Sequence, residues 1–123
     1  SIADIAQETL NKLAPSLVDL RVGRFSDTLD DAFSDGQSID FLFNDGHHDH
    51  DAVIEYFEGS LPYMSENGVV VFDDISWSPG MKKAWEEIKY HDHVVATFDL
   101  RTIGIAIIGK NSEKRVSFKI PMI

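Results

Sequence analysis

Apolar residues along the chain follow two spacings, and each spacing predicts a different type of element. Over residues 2–13 they recur every three or four positions, which is typical of an amphipathic helix with one apolar stripe. Ser1 and Asp4 have the spacing of a capping box at the start of this helix. Pro15 is expected to end the helix, because proline cannot continue the hydrogen-bonded ladder.

The helical spacing returns three more times. Ser26 is expected to cap a short helix over 27–33, and another helix runs to about Ser60. The clearest start signal is Ser78 followed by Pro79, because a capping hydroxyl precedes a proline at the first helical position. The buried face of the helix that begins there is predicted to consist of Met81, Ala84, Trp85 and Ile88.

Short apolar segments between these helices predict strands. Segment 17–22 alternates apolar and polar residues, whereas 39–43 and 69–72 are almost wholly apolar, as is typical of strands buried on both faces. Residues 66–68, Glu-Asn-Gly, are predicted to form a turn. Further strands are predicted over 94–98 and 103–108, followed by a final edge strand over 116–120.

Helices and strands therefore alternate along most of the chain. This order predicts an α/β fold with a mostly parallel sheet, covered by helices, and an antiparallel pair towards the C-terminus. The length of 123 residues suits a single domain.

Composition and charge exclude several classes of function. The net charge of −10 opposes non-specific binding to nucleic acid or to anionic membranes, because phosphates would be repelled. The absence of cysteine excludes disulfides, thiolate metal sites and cysteine nucleophiles, and it is consistent with a cytoplasmic protein. No apolar run exceeds four residues, and the first residues carry no basic stretch, so neither a membrane span nor a signal peptide is expected.

Carboxylates follow two of the apolar strands. Asp45 comes after strand 39–43, and Asp73 and Asp74 come directly after strand 69–72. If the two strands are neighbours, the three carboxylates meet at the carboxyl edge of the sheet, where α/β folds bind ligands. Oxygen ligands favour Mg²⁺ or Ca²⁺. The alternative is that these aspartates only cap helices or solvate loops.

Three histidines, His47, His48 and His50, lie in the loop after Asp45. Imidazole titrates near neutral pH, so one of them could act as a general base. A di-zinc pattern H-x-H-x-D-H fails, because its aspartate position is taken by Ala52. A solvated histidine-rich loop remains the alternative for at least two of the three.

Taken together, residues 39–88 resemble the second half of a class I S-adenosylmethionine (SAM)-dependent methyltransferase of the small O-methyltransferase-like group. The resemblance rests on a strand ending in Asp45, a helix, the turn at 66–68, and a strand ending in Asp73 and Asp74. The predicted hairpin over 94–108 matches the last two strands of that family. The family's Rossmann-like sheet has the strand order 3-2-1-4-5-7-6.

The resemblance implies roles for individual residues. In its metal-dependent members, the positions of Asp45, Asp73 and Asp74 hold Mg²⁺, although asparagine is usual where this chain has Asp74. His48 falls where those enzymes carry a catalytic lysine, so it is the candidate base. The candidate SAM-binding residues lie in two loops; they are Gly23, Arg24, Phe25 and Ser26 along the adenine, and Gly46 and His47 on its other side.

The chain also departs from the family. The family begins with a β-α-β unit whose glycine-rich loop holds the methionine end of SAM, and residues 1–123 contain no such loop. The chain therefore resembles one truncated domain, the C-terminal two-thirds of the fold. Strand 39–43 would then have an open edge, which predicts either a homodimer across that edge or direct pairing with strand 17–22.

Two hypotheses of function follow. The first is methyl transfer from SAM to an oxygen of a small-molecule acceptor, with Mg²⁺ assistance, by an enzyme of which these residues alone are inactive. The second is a non-catalytic α/β association module derived from the same fold.

Overall fold

The computed structural model describes residues 1–21, 25–34, 36–45 and 49–121. These residues form two compact units, Ser1–Ala32 and Phe33–Ile123, and each is considered by itself. No helix in the described ranges is both long and apolar enough to cross a membrane.

The first unit is helical. Helix α1 spans Ile2–Leu13 and begins with the predicted capping box between Ser1 and Asp4. Helix α2 spans Phe25–Phe33, two residues more than predicted, so Ser26 lies inside its first turn and is not the N-cap.

The predicted strand over 17–22 is wrong for the residues described. Residues 17–21 form a turn and irregular backbone, and the direct pairing with strand 39–43 is therefore absent as well. The alternation of apolar and polar residues is a weak signal here, because a strand also needs a neighbour that takes up its backbone hydrogen bonds. Asp19 and Arg21 instead form a local ion pair with a 2.9 Å contact.

The second unit is built on a sheet of five strands within the described residues. In chain order they are β1 (Ile39–Asn44), β2 (Met64–Phe72), β3 (Val94–Asp99), β4 (Gly104–Ile108) and β5 (Val116–Lys119). Their spatial order is β1-β2-β4-β3-β5, with β1 parallel to β2, β3 parallel to β5, and β4 antiparallel to both of its neighbours. Four strands therefore run in one direction, which confirms the mostly parallel α/β fold with its antiparallel hairpin.

Helices α3 (His50–Ser60) and α4 (Pro79–Lys89) supply the core on one face of this sheet. Ser78 caps α4, as predicted, and accepts a 3.1 Å hydrogen bond from the Met81 backbone. The predicted buried face of α4 is confirmed. Phe57 of α3 is fully buried, and its ring meets that of Phe72 edge-on with a 5.6 Å centroid separation. Short 3₁₀ helices, Leu61–Tyr63 and Ser112–Lys114, precede β2 and β5.

Strand β2 begins five residues earlier than predicted, at Met64. The Glu-Asn-Gly segment at 66–68 lies within the strand, and the register against β1 shifts there. Asn67 has a positive φ of 65°. The residues that predict a turn therefore form an irregularity within a strand.

Strand β1 is less buried than its apolar sequence predicts. Leu42 packs against the core, but Phe41 and Phe43 are 61% and 51% exposed. The reason is topological: among the described residues β1 is the last strand of the sheet, and α3 and α4 cover the face to which Leu42 belongs. The homodimer across this edge stays a prediction.

Candidate functional site

The carboxyl edge of the sheet collects the ends of four strands. Because β1, β2, β3 and β5 run in the same direction, their last residues all lie on this edge. Asn44 and Phe72 are register partners at the ends of β1 and β2, and the Asp73 backbone N–H donates a 3.3 Å hydrogen bond to the Asn44 carbonyl. The residues that follow these two strands are consequently held side by side.

Asp45, Asp73 and Asp74 form a carboxylate triad at this point. Each offers one carboxylate oxygen, and the three oxygens lie within 4.8 Å of one another. Asp45 is exposed and the other two are partly buried. The structure thus brings together the three aspartates that the sequence singles out, while their role as metal ligands stays a prediction.

Backbone hydrogen bonds hold the segment after β2 in place. Asp74 has a left-handed φ of 57°, and its N–H donates to the Asp73 carboxylate at 2.9 Å. The Ile75 N–H donates to the Thr102 carbonyl at 3.0 Å, which ties the segment to the β3–β4 turn. The Ile75 side chain is buried in the core. The two adjacent carboxylates are therefore carried by an anchored turn.

Neither neighbouring helix uses the triad as its cap. Helix α3 is capped by Asp49, whose side chain accepts from the Ala52 N–H, and α4 is capped by Ser78. Helix capping, the alternative explanation for these aspartates, is thus carried out by other residues.

The triad fits a divalent cation that prefers oxygen ligands. Two oxygens bound to one ion can lie up to twice the metal–ligand distance apart, roughly 4 Å for Mg²⁺ and 5 Å for Ca²⁺. Oxygens that lie within 4.8 Å of one another are therefore close enough to share one divalent cation. The exposure of Asp45 leaves room for water or substrate oxygens to complete the coordination.

Most of the other predicted site residues cannot be placed. His48, the candidate base, and the candidate SAM-binding residues Gly23, Arg24, Gly46 and His47 lie outside the described residues. Phe25 and Ser26 are the first two residues of α2. The roles assigned to all seven stay predictions.

His50, the third histidine of the loop, has a structural position. Its Nδ1 lies 2.7 Å from Asp51, and its Nε2 lies 2.9 Å from Glu87 of α4. These carboxylates, Asp51 above all, raise the pKa of His50 from its ordinary value. When it is protonated, the imidazole links α3 to α4 through these two contacts.

Replacement of His50 by Gln should change the pH dependence of stability. Because the folded-state pKa of His50 is raised, its contribution is fully present below pH 6.5, the unfolded value, and is lost as the pH rises through the folded pKa. Asp51 and Glu87 favour the charged form, and Lys83 opposes it. Urea unfolding between pH 5.5 and 8.5, the range around that unfolded pKa, should show the largest difference between native protein and variant at the acidic end. A difference that does not vary with pH would contradict this assignment.

One further feature of the edge was not evident from the pattern of residues. The Asn44 side-chain nitrogen is buried and has no hydrogen-bond partner within the described ranges. Trp77 follows the triad in the chain and is 68% exposed, whereas Trp85 belongs to the core.

Comparison with known proteins decides the family. The sequence profile of a family described as a methyltransferase domain matches residues 2–75, more than half of the chain and inclusive of the triad. The chain belongs to this methyltransferase family. No curated protein matches it.

Solved structures similar to this methyltransferase domain include two of MycE methyltransferase from the mycinamycin biosynthetic pathway. One, in complex with Mg, SAH and mycinamycin VI, is 19% identical with a TM-score of 0.60 and covers 84% of this chain. The other, in complex with Mg and SAH, is 17% identical with a TM-score of 0.58 and covers 83%. The domain spans only 34% of the length of either. At these identities the likeness shows the fold.

Proposed function

We propose that the protein transfers a methyl group from SAM to an oxygen of a small-molecule acceptor, with a Mg²⁺ ion held by Asp45, Asp73 and Asp74. The observation that carries this proposal is the convergence of the three carboxylates at the carboxyl edge of a methyltransferase-family fold. The presence of Mg and SAH in the MycE complexes supports it.

The triad has the chemistry that such a reaction needs. Three negative charges within 4.8 Å repel one another, and a divalent cation relieves that repulsion. A bound Mg²⁺ supplies Lewis acidity, which lowers the pKa of an acceptor hydroxyl. In this proposal Asp73 and Asp74, which the anchored turn holds in place, orient the acceptor.

His48 is the proposed general base. It lies three residues after Asp45, in the segment between β1 and α3, and the cap at Asp49 anchors the next residue. Neutral imidazole accepts a proton near pH 7 without a large shift of its pKa. The proposed SAM contacts are Gly23, Arg24, Phe25, Ser26, Gly46 and His47.

Calorimetric titration of the 123-residue chain tests this proposal in two parts. Mg²⁺ should bind, because the triad is complete within the chain. SAM should bind weakly or not at all, because the 123 residues contain no glycine-rich loop for its methionine end, and methyl transfer requires a donor held in line with its acceptor.

The two results are separable. Absence of Mg²⁺ binding would refute metal assistance, whereas micromolar SAM binding would refute the proposal that these residues alone are inactive.

A further inference from the structure

A cavity lies on the carboxyl edge, between α4 and the ends of β3 and β5. Its volume is about 310 Å³, and Trp85 and Ile75 supply its apolar lining. Three basic side chains, Lys82, Arg101 and Lys119, surround it. Two acidic side chains, Glu86 and Asp99, also line it.

The three basic groups come from separate elements and share one cavity. Lys82 lies on α4, Arg101 in the turn between β3 and β4, and Lys119 at the end of β5. None of them forms an ion pair with another residue of the described ranges. All three are exposed, so their charges are available to a ligand.

The acidic residues of the cavity are already engaged. Glu86 pairs with Lys89 on the same helix. The Asp99 carboxylate accepts two hydrogen bonds, one from the Trp85 indole N–H at 3.2 Å and one from the Arg101 backbone N–H at 2.9 Å. Glu86 is thus paired with a lysine outside the cavity lining, whereas the Asp99 carboxylate keeps its negative charge, because both of its donors are neutral N–H groups.

The turn that carries Arg101 is held in an uncommon conformation. Arg101 has a φ of 77°, in the left-handed region that favours glycine. The hydrogen bond to Asp99 fixes its N–H, and the Ser76 hydroxyl donates to its carbonyl at 2.9 Å. Lys119 is the register partner of Asp99 on the neighbouring strand. Asp99 therefore lies next to both Arg101 and Lys119.

We infer that this cavity binds the carboxylate or phosphate group of a small organic molecule. Guanidinium and ammonium groups are the usual partners of such oxyanions, and the three of them outnumber the two acidic residues of the lining, one of which is paired with Lys89. The cavity is at the lower end of the size range of ligand pockets, so it has room for an organic group beside the charged one. That group would contact Trp85 and Ile75.

The cavity and the triad lie on the same edge of the sheet. The triad follows β1 and β2, and the cavity lies at the end of β3, which is separated from β2 by β4. Two strand spacings correspond to about 10 Å. The cavity could therefore hold the anionic end of the acceptor; that assignment rests on the proposed function, whereas anion binding itself does not.

Nuclear magnetic resonance titration with phenyl phosphate and with benzoate tests the inference. The indole N–H signal of Trp85 should shift on binding, and a Trp77→Phe variant assigns the signal. Lys119→Gln and Arg101→Gln should each weaken binding about tenfold, because each removes one charge from the site. Lys114→Gln is the matched control, since it removes the same charge from an exposed residue at the other end of β5 and should change affinity less than about twofold.

The outcomes are distinct. Binding of either compound, weakened by the two cavity variants and not by the control, supports the inference, and the tighter compound identifies the preferred group. Failure of both compounds to bind, or equal weakening by Lys114→Gln, would overturn it. Neither SAM nor Mg²⁺ is needed, so failure here leaves the proposed methyl transfer untouched.

Discussion

Asp45→Asn should weaken Mg²⁺ binding by more than about tenfold. Asp45 contributes one of three carboxylate oxygens that lie within 4.8 Å of one another. Two unit charges about 4 Å apart interact by roughly 1 kcal/mol even in bulk water, so the loss of a carboxylate from a divalent ion costs about 2 kcal/mol or more. A difference of about 1.4 kcal/mol corresponds to a tenfold change in affinity. Calorimetry measures this change directly.

Asp92→Asn provides the matched control for this prediction. Asp92 is exposed and lies before β3, at the opposite edge of the sheet. Its replacement by Asn changes the net charge of the chain by the same amount as Asp45→Asn. Its replacement should leave Mg²⁺ affinity nearly unchanged, because exposed charges farther apart than about 10 Å are largely screened at 0.1 M salt. Equal losses in the two variants would show that the ion responds to net charge and not to the triad.

Phe57→Ala should destabilise the domain by about 3–5 kcal/mol, the range for a large aromatic removed from a core. Phe57 is 0% exposed and packs against the rings of Phe72 and His91, with centroid separations of 5.6 and 5.3 Å. Phe72 directly precedes Asp73, so the cavity left by the variant would also loosen the end of β2. Urea unfolding should show the loss of stability.

The same replacement at Phe41 is the control for the core. Phe41 lies on β1 and is 61% exposed, so Phe41→Ala should cost less than about 1 kcal/mol. If the two variants lost similar stability, the face of β1 to which Phe41 belongs would have to be buried in solution.

Local signals in the sequence were sufficient for several elements. The capping box of Ser1 and Asp4 and the Ser78-Pro79 start of α4 act within a few residues, so each predicts its helix without knowledge of the rest of the fold. The positions of Asp45, Asp73 and Asp74 were predictable because consecutive parallel strands joined by one helix are usually neighbours. Their carboxylates then share an edge.

Two of the incorrect predictions depend on neighbours in space. Residues 17–21 alternate like a strand but have no strand partner in the described structure, and β1 has apolar residues on both faces but only one neighbouring strand. The cavity of Lys82, Arg101 and Lys119 was not predictable either. It depends on the pairing of β5 with β3, and nothing in an alternating apolar pattern specifies which strand is the partner.

Anomalous scattering from crystals grown with Mn²⁺ tests the central claim most directly, because Mn²⁺ accepts the same oxygen ligands as Mg²⁺ and its position can be seen. We expect one strong peak bound by carboxylate oxygens of Asp45, Asp73 and Asp74. A well-ordered triad without a peak at millimolar Mn²⁺, or a peak bound by other residues alone, would contradict it.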